Sequence, residues 1–276
     1  MKQFILQLVC FAVLASGAVY LFGEVSYAVI MKTGNNFLNN ADFKVTKAIR
    51  TSKQKKKTSK LIIGDSVGEQ LYGSCNDETV VGMTATVALT TVGQYCLLAN
   101  YFKNNAGSLP EEVILIYNPL CMNNVLSGGL VYATFAKNMY NDEFKLFLDK
   151  ETIQYLDKWP YAWLLNQKWF RLCPFIPDFN STMEHGEWIS PVQYKYIIKM
   201  KSLCENNSVK FRIIAPPLRQ SLEKNLIQVI KKDSHSSEQL FQEYITSITF
   251  LPDYMYADQL HFKPQYIPKD YFHLHE

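Results

Sequence analysis

Charge is scarce in this chain. Asp, Glu, Lys and Arg make up 19% of its 276 residues, below the quarter usual in soluble domains. Glycine and proline number only 12 and 11, and no repeat period appears. Together with 48% hydrophobic and 14% aromatic residues, this excludes a disordered chain, a collagen-like chain and a coiled coil. The six cysteines, Cys10, Cys75, Cys96, Cys121, Cys173 and Cys204, lack metal-ligand spacing. Five of them lie beyond residue 60, an odd number, so at least one stays free or pairs between chains. They read as buried small hydrophobes. There is no Walker A loop and no dinucleotide glycine pattern. No metal and no cofactor are expected.

The net charge of +3 hides an uneven distribution. Residues 44–60 carry eight bases (Lys44, Lys47, Arg50, Lys53, Lys55, Lys56, Lys57, Lys60) and no acid. From residue 61 onward there are 18 bases and 23 acids. A mildly acidic main domain argues against nucleic acid as a partner.

Phe4 to Phe22 is a 19-residue run without charge. As a helix it spans roughly 28 Å, close to a bilayer core. A signal peptide cut near Ala15-Ser16-Gly17-Ala18 and an uncleaved signal anchor are both open. The run continues through Val19-Tyr20-Leu21-Phe22, longer than the usual cleavable core of about 7–15 residues, which favours an anchor over residues 1–23. Residues 24–59 then read as a polar and basic linker, solvated or touching anionic lipid heads. The expected domain is 60–276, outside the cytoplasm, on a single-pass cell-membrane protein.

Lys60-Leu-Ile-Ile-Gly64 reads as a buried strand. Thr79-Val80-Val81, Val113 to Tyr117, Phe211 to Ala215 and Ile245 to Leu251 are four further candidates. Helical patterns run over Thr86–Phe102, from Ser190-Pro191, over Ser221–Lys232 and over Ser236–Ser247. Strands alternating with helices predict an α/β fold, a three-layer αβα sandwich around a parallel sheet. Residues 121–189 break the rhythm with an aromatic-rich insertion. Two readings stand: a helical subdomain with its own small core, or a lid lining a substrate groove.

Gly64-Asp65-Ser66 leaves the first strand at its carboxyl end, where open parallel sheets bind ligands. A nucleophilic serine needs a base, and the base an orienting acid. Asp-x-x-His supplies both, and occurs at Asp258-Gln-Leu-His261 and Asp270-Tyr-Phe-His273. The first follows the fifth strand candidate; the second lies in the last seven residues, where chains fray. His261 with Asp258 is therefore preferred. His185 and His235 sit in polar contexts and read as surface residues, and His275 as a tail residue. Asn180-Ser-Thr182 and Asn206-Asn-Ser208 match the glycosylation sequon.

A strand ending in Gly-Asp-Ser, alternating α/β elements and a late Asp-x-x-His resemble the SGNH/GDSL hydrolase superfamily, over residues 60 to about 270. The resemblance implies a flavodoxin-like sheet, Ser66 as nucleophile, His261 as base and Asp258 as its acid. It implies an oxyanion hole from the Ser66 amide, a glycine and an asparagine. Gly82 or the backbone at Thr84 would serve for the second. Asn118 is the foremost candidate for the third, ahead of Asn123 and Asn124, because Tyr117-Asn118-Pro119 stands where the family has Gly-x-Asn-Asp. These departures resemble divergent, membrane-anchored members that handle bacterial surface polysaccharide. The implied activity is a serine esterase acting on an acylated carbohydrate or small ester. The alternatives are a non-catalytic glycan-binding or assembly protein, or an O-acyltransferase working with a membrane-bound polysaccharide-modification partner.

Overall fold

The computed structural model describes residues 2–33, 42–72, 79–179 and 187–268. Four strands, β1 (Lys60–Gly64), β2 (Val80–Thr84), β3 (Glu112–Ile116) and β4 (Lys210–Ile214), form a parallel sheet in the order β2-β1-β3-β4. The register pairs Gly64 with Thr84 and with Ile116, and Ile116 with Ile214. All four strands thus end level, at one carboxyl edge. β5 (Leu218–Arg219) and β6 (Phe250–Leu251) form a separate parallel pair.

Alternation along the strands splits the sheet between two cores. Leu61, Ile63, Val113 and Leu115 face the larger one, with α4 (Thr90–Asn104) and α10 (Pro191–Glu205). Ile62, Ile114, Ile116 and Ile214 face a thinner layer. That layer holds Val67 and Leu71 of α3 (Ser66–Tyr72) and, from the C-terminal segment, Tyr256 and Phe262. The chain is a mixed α/β protein whose parallel sheet is flanked by helices, as the alternating pattern predicts. Ser190 caps α10 by accepting from the Gln193 amide, with Pro191 in its first turn.

Within 24–59, the expected linker, the described residues are largely helical. α1 runs from Lys2 to Thr33, and its Lys2–Ile30 segment is long and apolar enough to cross a membrane. α2 (Asp42–Lys53) packs against β2 and α4. Val45, Ala48 and Ile49 are buried in the main core while Lys47 and Lys53 face solvent. Burying a valine and an isoleucine contributes about 1.5–3 kcal/mol each. The apolar stripe at helical spacing therefore wins, and Lys47 and Lys53, two of the eight bases at 44–60, are on its outer face. The polar segments at 34–36 and 39–40 lie outside the described residues.

Two other expectations are corrected. Only Phe250–Leu251 of the fifth strand candidate is a strand, because Gln239–Thr246 is helical. Phe241 and Tyr244, three apart on one face, are fully buried there. The insertion carries short helices: α5 (Gly129–Val131), α6 (Lys137–Met139), α7 (Asp142–Lys145), α8 (Lys150–Leu156) and α9 (Lys168–Leu172). Among the described residues it has no core of its own. Tyr132, Phe135, Tyr140, Phe144, Trp159 and Phe170 belong to the same cluster as the sheet residues Leu61 and Val113. After α10 come α11 (Glu223–Ile230) and α12 (Gln239–Thr246).

Candidate active site

At the carboxyl edge β1 turns into α3 within Gly64-Asp65-Ser66. A Cβ on Gly64 would meet the Ile116 carbonyl oxygen at 2.2 Å, so only glycine permits this approach of β1 to β3. Asp65 is fully buried and ties the turn together. Its Oδ1 accepts from the amides of Val67 (2.9 Å) and Gly68 (3.1 Å), capping α3. Its Oδ2 accepts from the Asn118 amide at 3.0 Å, fixing the loop that leaves β3. Burial pushes the Asp65 carboxyl up, against the pull of the Gly68, Asn118 and Val67 amides. The Ser66 amide is outside this cap.

Ser66 Oγ lies 2.8 Å from His261 Nε2. His261 Nδ1 lies 2.9 Å from Asp258 Oδ2 and 3.2 Å from Oδ1. Partial desolvation pushes the Asp258 carboxyl up, but the His261 and Leu260 amides and the imidazole outweigh it and bring it to about 2. An ionised Asp258 can only accept, so Nδ1 carries the proton toward it. Nε2 is left to accept from the Ser66 hydroxyl.

The Asp-x-x-His segment forms the tip of a short hairpin. Tyr256 and Phe262 bridge in antiparallel fashion, and the Ala257 amide donates to the His261 carbonyl at 2.8 Å. At the tip Asp258 Oδ1 accepts from the amides of Leu260 and His261, both at 2.7 Å. The same carboxylate thus shapes the turn and orients the imidazole. At the base the Tyr256 and Phe262 rings stack 4.6 Å apart in the thin core.

Of the expected oxyanion residues, Gly82 lies away from the carboxyl edge. Gly82 sits in the middle of β2, opposite Ile62, where a Cβ would meet the Tyr72 ring at 2.3 Å. It is a packing position, two residues short of the edge. Thr84 is at the edge, paired with Gly64, but the next amide, Ala85, donates to Gly64 O at 2.9 Å. Asn118 is fully buried, and its Oδ1 accepts from the Leu120 amide at 2.9 Å. Its Nδ2 is a buried donor with no partner among the described residues. Asn124 O accepts from Ser190 and Gln193 on the large-core side. His235 pairs with Glu238 and stacks on Tyr194 at 3.9 Å, apart from the triad. Asp270, His273, His185 and His275 lie outside the described residues.

Two glutamines beside the triad escape sequence reading. Gln94, buried in α4, donates to Gly64 O at 2.6 Å. Gln70, one turn after Ser66, accepts from the Phe262 amide at 3.0 Å and donates to its carbonyl at 3.2 Å. No local pattern signals either, since the partners are 30 and 192 residues away in sequence.

Compared with family models, curated proteins and solved structures, the chain matches none. A hydroxyl on an imidazole nitrogen, with a carboxylate behind the ring, is an arrangement suited to nucleophilic attack on an acyl carbon. Among the described residues no group of His, Cys, Asp and Glu is arranged to hold a metal ion.

Proposed function

We propose that the chain is a membrane-anchored serine esterase of SGNH type that deacylates, and most simply deacetylates, a cell-surface glycan. One observation carries this reading: the chain of contacts from Ser66 Oγ to His261 Nε2 (2.8 Å) and from His261 Nδ1 to Asp258 Oδ2 (2.9 Å). Ser66 Oγ attacks the ester carbonyl while His261 Nε2 takes its proton. The oxyanion receives hydrogen bonds from Asn118 Nδ2 and the Ser66 amide. Collapse breaks the bond to the sugar oxygen, which leaves with the proton from His261. Water, deprotonated in turn by His261, attacks the acyl-Ser66 carbonyl; the bond to Ser66 Oγ breaks, His261 returns the proton to Oγ, and the carboxylic acid leaves. The apolar α1 supports a cell-membrane location, and the glycan follows from the resemblance, with the domain outside the cytoplasm.

The test is hydrolysis of a small acetyl ester and of an O-acetylated polysaccharide by the full chain and by Ser66→Ala. Acetate release by the wild type and its loss in the variant are expected. Equal release by both removes Ser66 from the mechanism. If acetate appears on an added sugar hydroxyl rather than in solution, the reaction is transfer.

A further inference from the structure

Exposure gives way to protein packing along α1 at a sharp boundary. No residue from Phe4 to Phe22 is buried, whereas Gly23, Ser26 and Ile30 are, one face of the helix. Trp169 of α9 approaches so closely that a Cβ on Gly23 would meet its Cβ at 2.4 Å. Glu24 pairs with Lys168 at 2.5 Å, and Arg171 donates to the Tyr27 hydroxyl at 3.4 Å. With the apolar stretch in a bilayer, the domain begins at the membrane surface without a spacer.

A cavity of about 640 Å³ opens beside this foot, walled by Tyr27 and Ala28 of α1, by α2 and by two stretches of the insertion. Tyr27 and Ala28 are five and six residues beyond Phe22, about 8–9 Å along the helix. The headgroup layer outside the hydrocarbon core is about 5–8 Å deep, so long basic side chains at this depth reach it. Arg50, Lys53, Lys168 and Arg171 line the cavity, against Asp142 and Glu143. Lys53 is held by Glu143, and Lys168 by Glu24. Asp142 accepts from Asn166 Nδ2 at 3.0 Å. Among the described residues Arg171 donates only to neutral oxygens, those of Leu165, Asn166 and Tyr27. Arg50 has no ion pair among the described residues. Two guanidinium groups thus face one cavity with no carboxylate of their own.

We propose that this cavity holds the phosphodiester of a membrane phospholipid headgroup between Arg50 and Arg171. The planar fork of a guanidinium matches two phosphate oxygens and is less strongly hydrated than an ammonium. The two carboxylates on the same lining disfavour a free, doubly charged phosphate. They suit a diester whose outer substituent carries an ammonium or hydroxyl groups. This inference rests on α1 lying in a membrane and is independent of the esterase reading.

The experiment uses the full chain in nanodiscs of mixed zwitterionic and anionic phospholipids, released gently into a mass spectrometer. The wild type is expected to retain a bound phospholipid. Arg50→Gln with Arg171→Gln should retain at least about tenfold less, while Arg50→Lys with Arg171→Lys falls between. Lys231→Gln with Lys232→Gln, on an exposed surface, should behave as wild type. Equal retention by the double arginine-to-glutamine variant, or equal loss in the Lys231 and Lys232 control, overturns the site. Displacement of the lipid by millimolar inorganic phosphate overturns the lipid assignment. Circular dichroism checks the fold of each variant, and labelling of Ser66 reports separately on the esterase reading.

Discussion

Gln70 holds the backbone of Phe262 by both of its polar groups, accepting from the amide at 3.0 Å and donating to the carbonyl at 3.2 Å. Gln70 is on the same helix as Ser66, four residues on, and Phe262 follows His261. The side-chain amide therefore links the helix of the nucleophile to the hairpin of the base. Gln70→Leu is expected to lower ester turnover by about ten- to a hundredfold, the cost of roughly an ångström of misplacement. Gln70→Glu keeps the acceptor for the Phe262 amide and should lie between. Steady-state kinetics with a small acetyl ester checks this, with thermal melting to show that both variants stay folded.

Ser66, His261 and Asp258 should act as a unit. Ser66→Ala and His261→Ala are expected to lose similar factors in kcat, and the double variant to be little worse than either single one. His273→Ala should keep most activity. A reversed ranking of the two histidine variants would move the base to His273. Rates of the four variants measured under one set of conditions decide it.

Asn118 Nδ2, near the strand edge, is a buried donor without a partner among the described residues. Asn118→Ala should lower kcat by about 10²–10³ with little change in KM, as loss of an oxyanion donor does. The lost cap on the Leu120 amide should also cost about 0.5–2 kcal/mol of stability. Kinetics and urea melts on the same preparation separate the two effects.

Glu112 at the start of β3 pairs with Arg212 Nη2 at 3.1 Å and Lys210 Nζ at 3.2 Å. Burial pushes its carboxyl up, but the Arg212 and Lys210 charges outweigh it and hold it below the ordinary 4.5. A lowered folded value means stability that is present above 4.5 and lost as pH falls through the folded value. Glu112→Gln should therefore be less stable than wild type at neutral pH, by about 1–3 kcal/mol. The gap should narrow steadily in acid. Urea unfolding of both proteins across a pH series measures it.

What the sequence reveals follows from how local its causes are. The run Leu61-Ile62-Ile63 before Gly-Asp-Ser is a strand because it is buried on both faces, and that is visible in five residues. Asp258 and His261 pair within one turn, so their spacing is itself the signal. α2 was hidden because its bases outnumber Val45, Ala48 and Ile49, and only packing against β2 reveals the stripe. Ile245–Leu251 looked extended from its β-branched residues, but burial of Phe241 and Tyr244 carries the helix to Thr246. Gly82 stands just after the strand candidate Thr79-Val80-Val81, whereas the strand itself runs on to Thr84. Gln70 has no local pattern at all, because its partner is brought to it only by the fold.

Covalent labelling asks whether Ser66 is an activated nucleophile. The full chain is treated with a fluorophosphonate probe, and the modified peptide is mapped by mass spectrometry. A single adduct on Ser66 is expected, absent in Ser66→Ala and formed far more slowly in His261→Ala. Failure of the folded wild-type protein to label, or labelling that persists in Ser66→Ala, would contradict it.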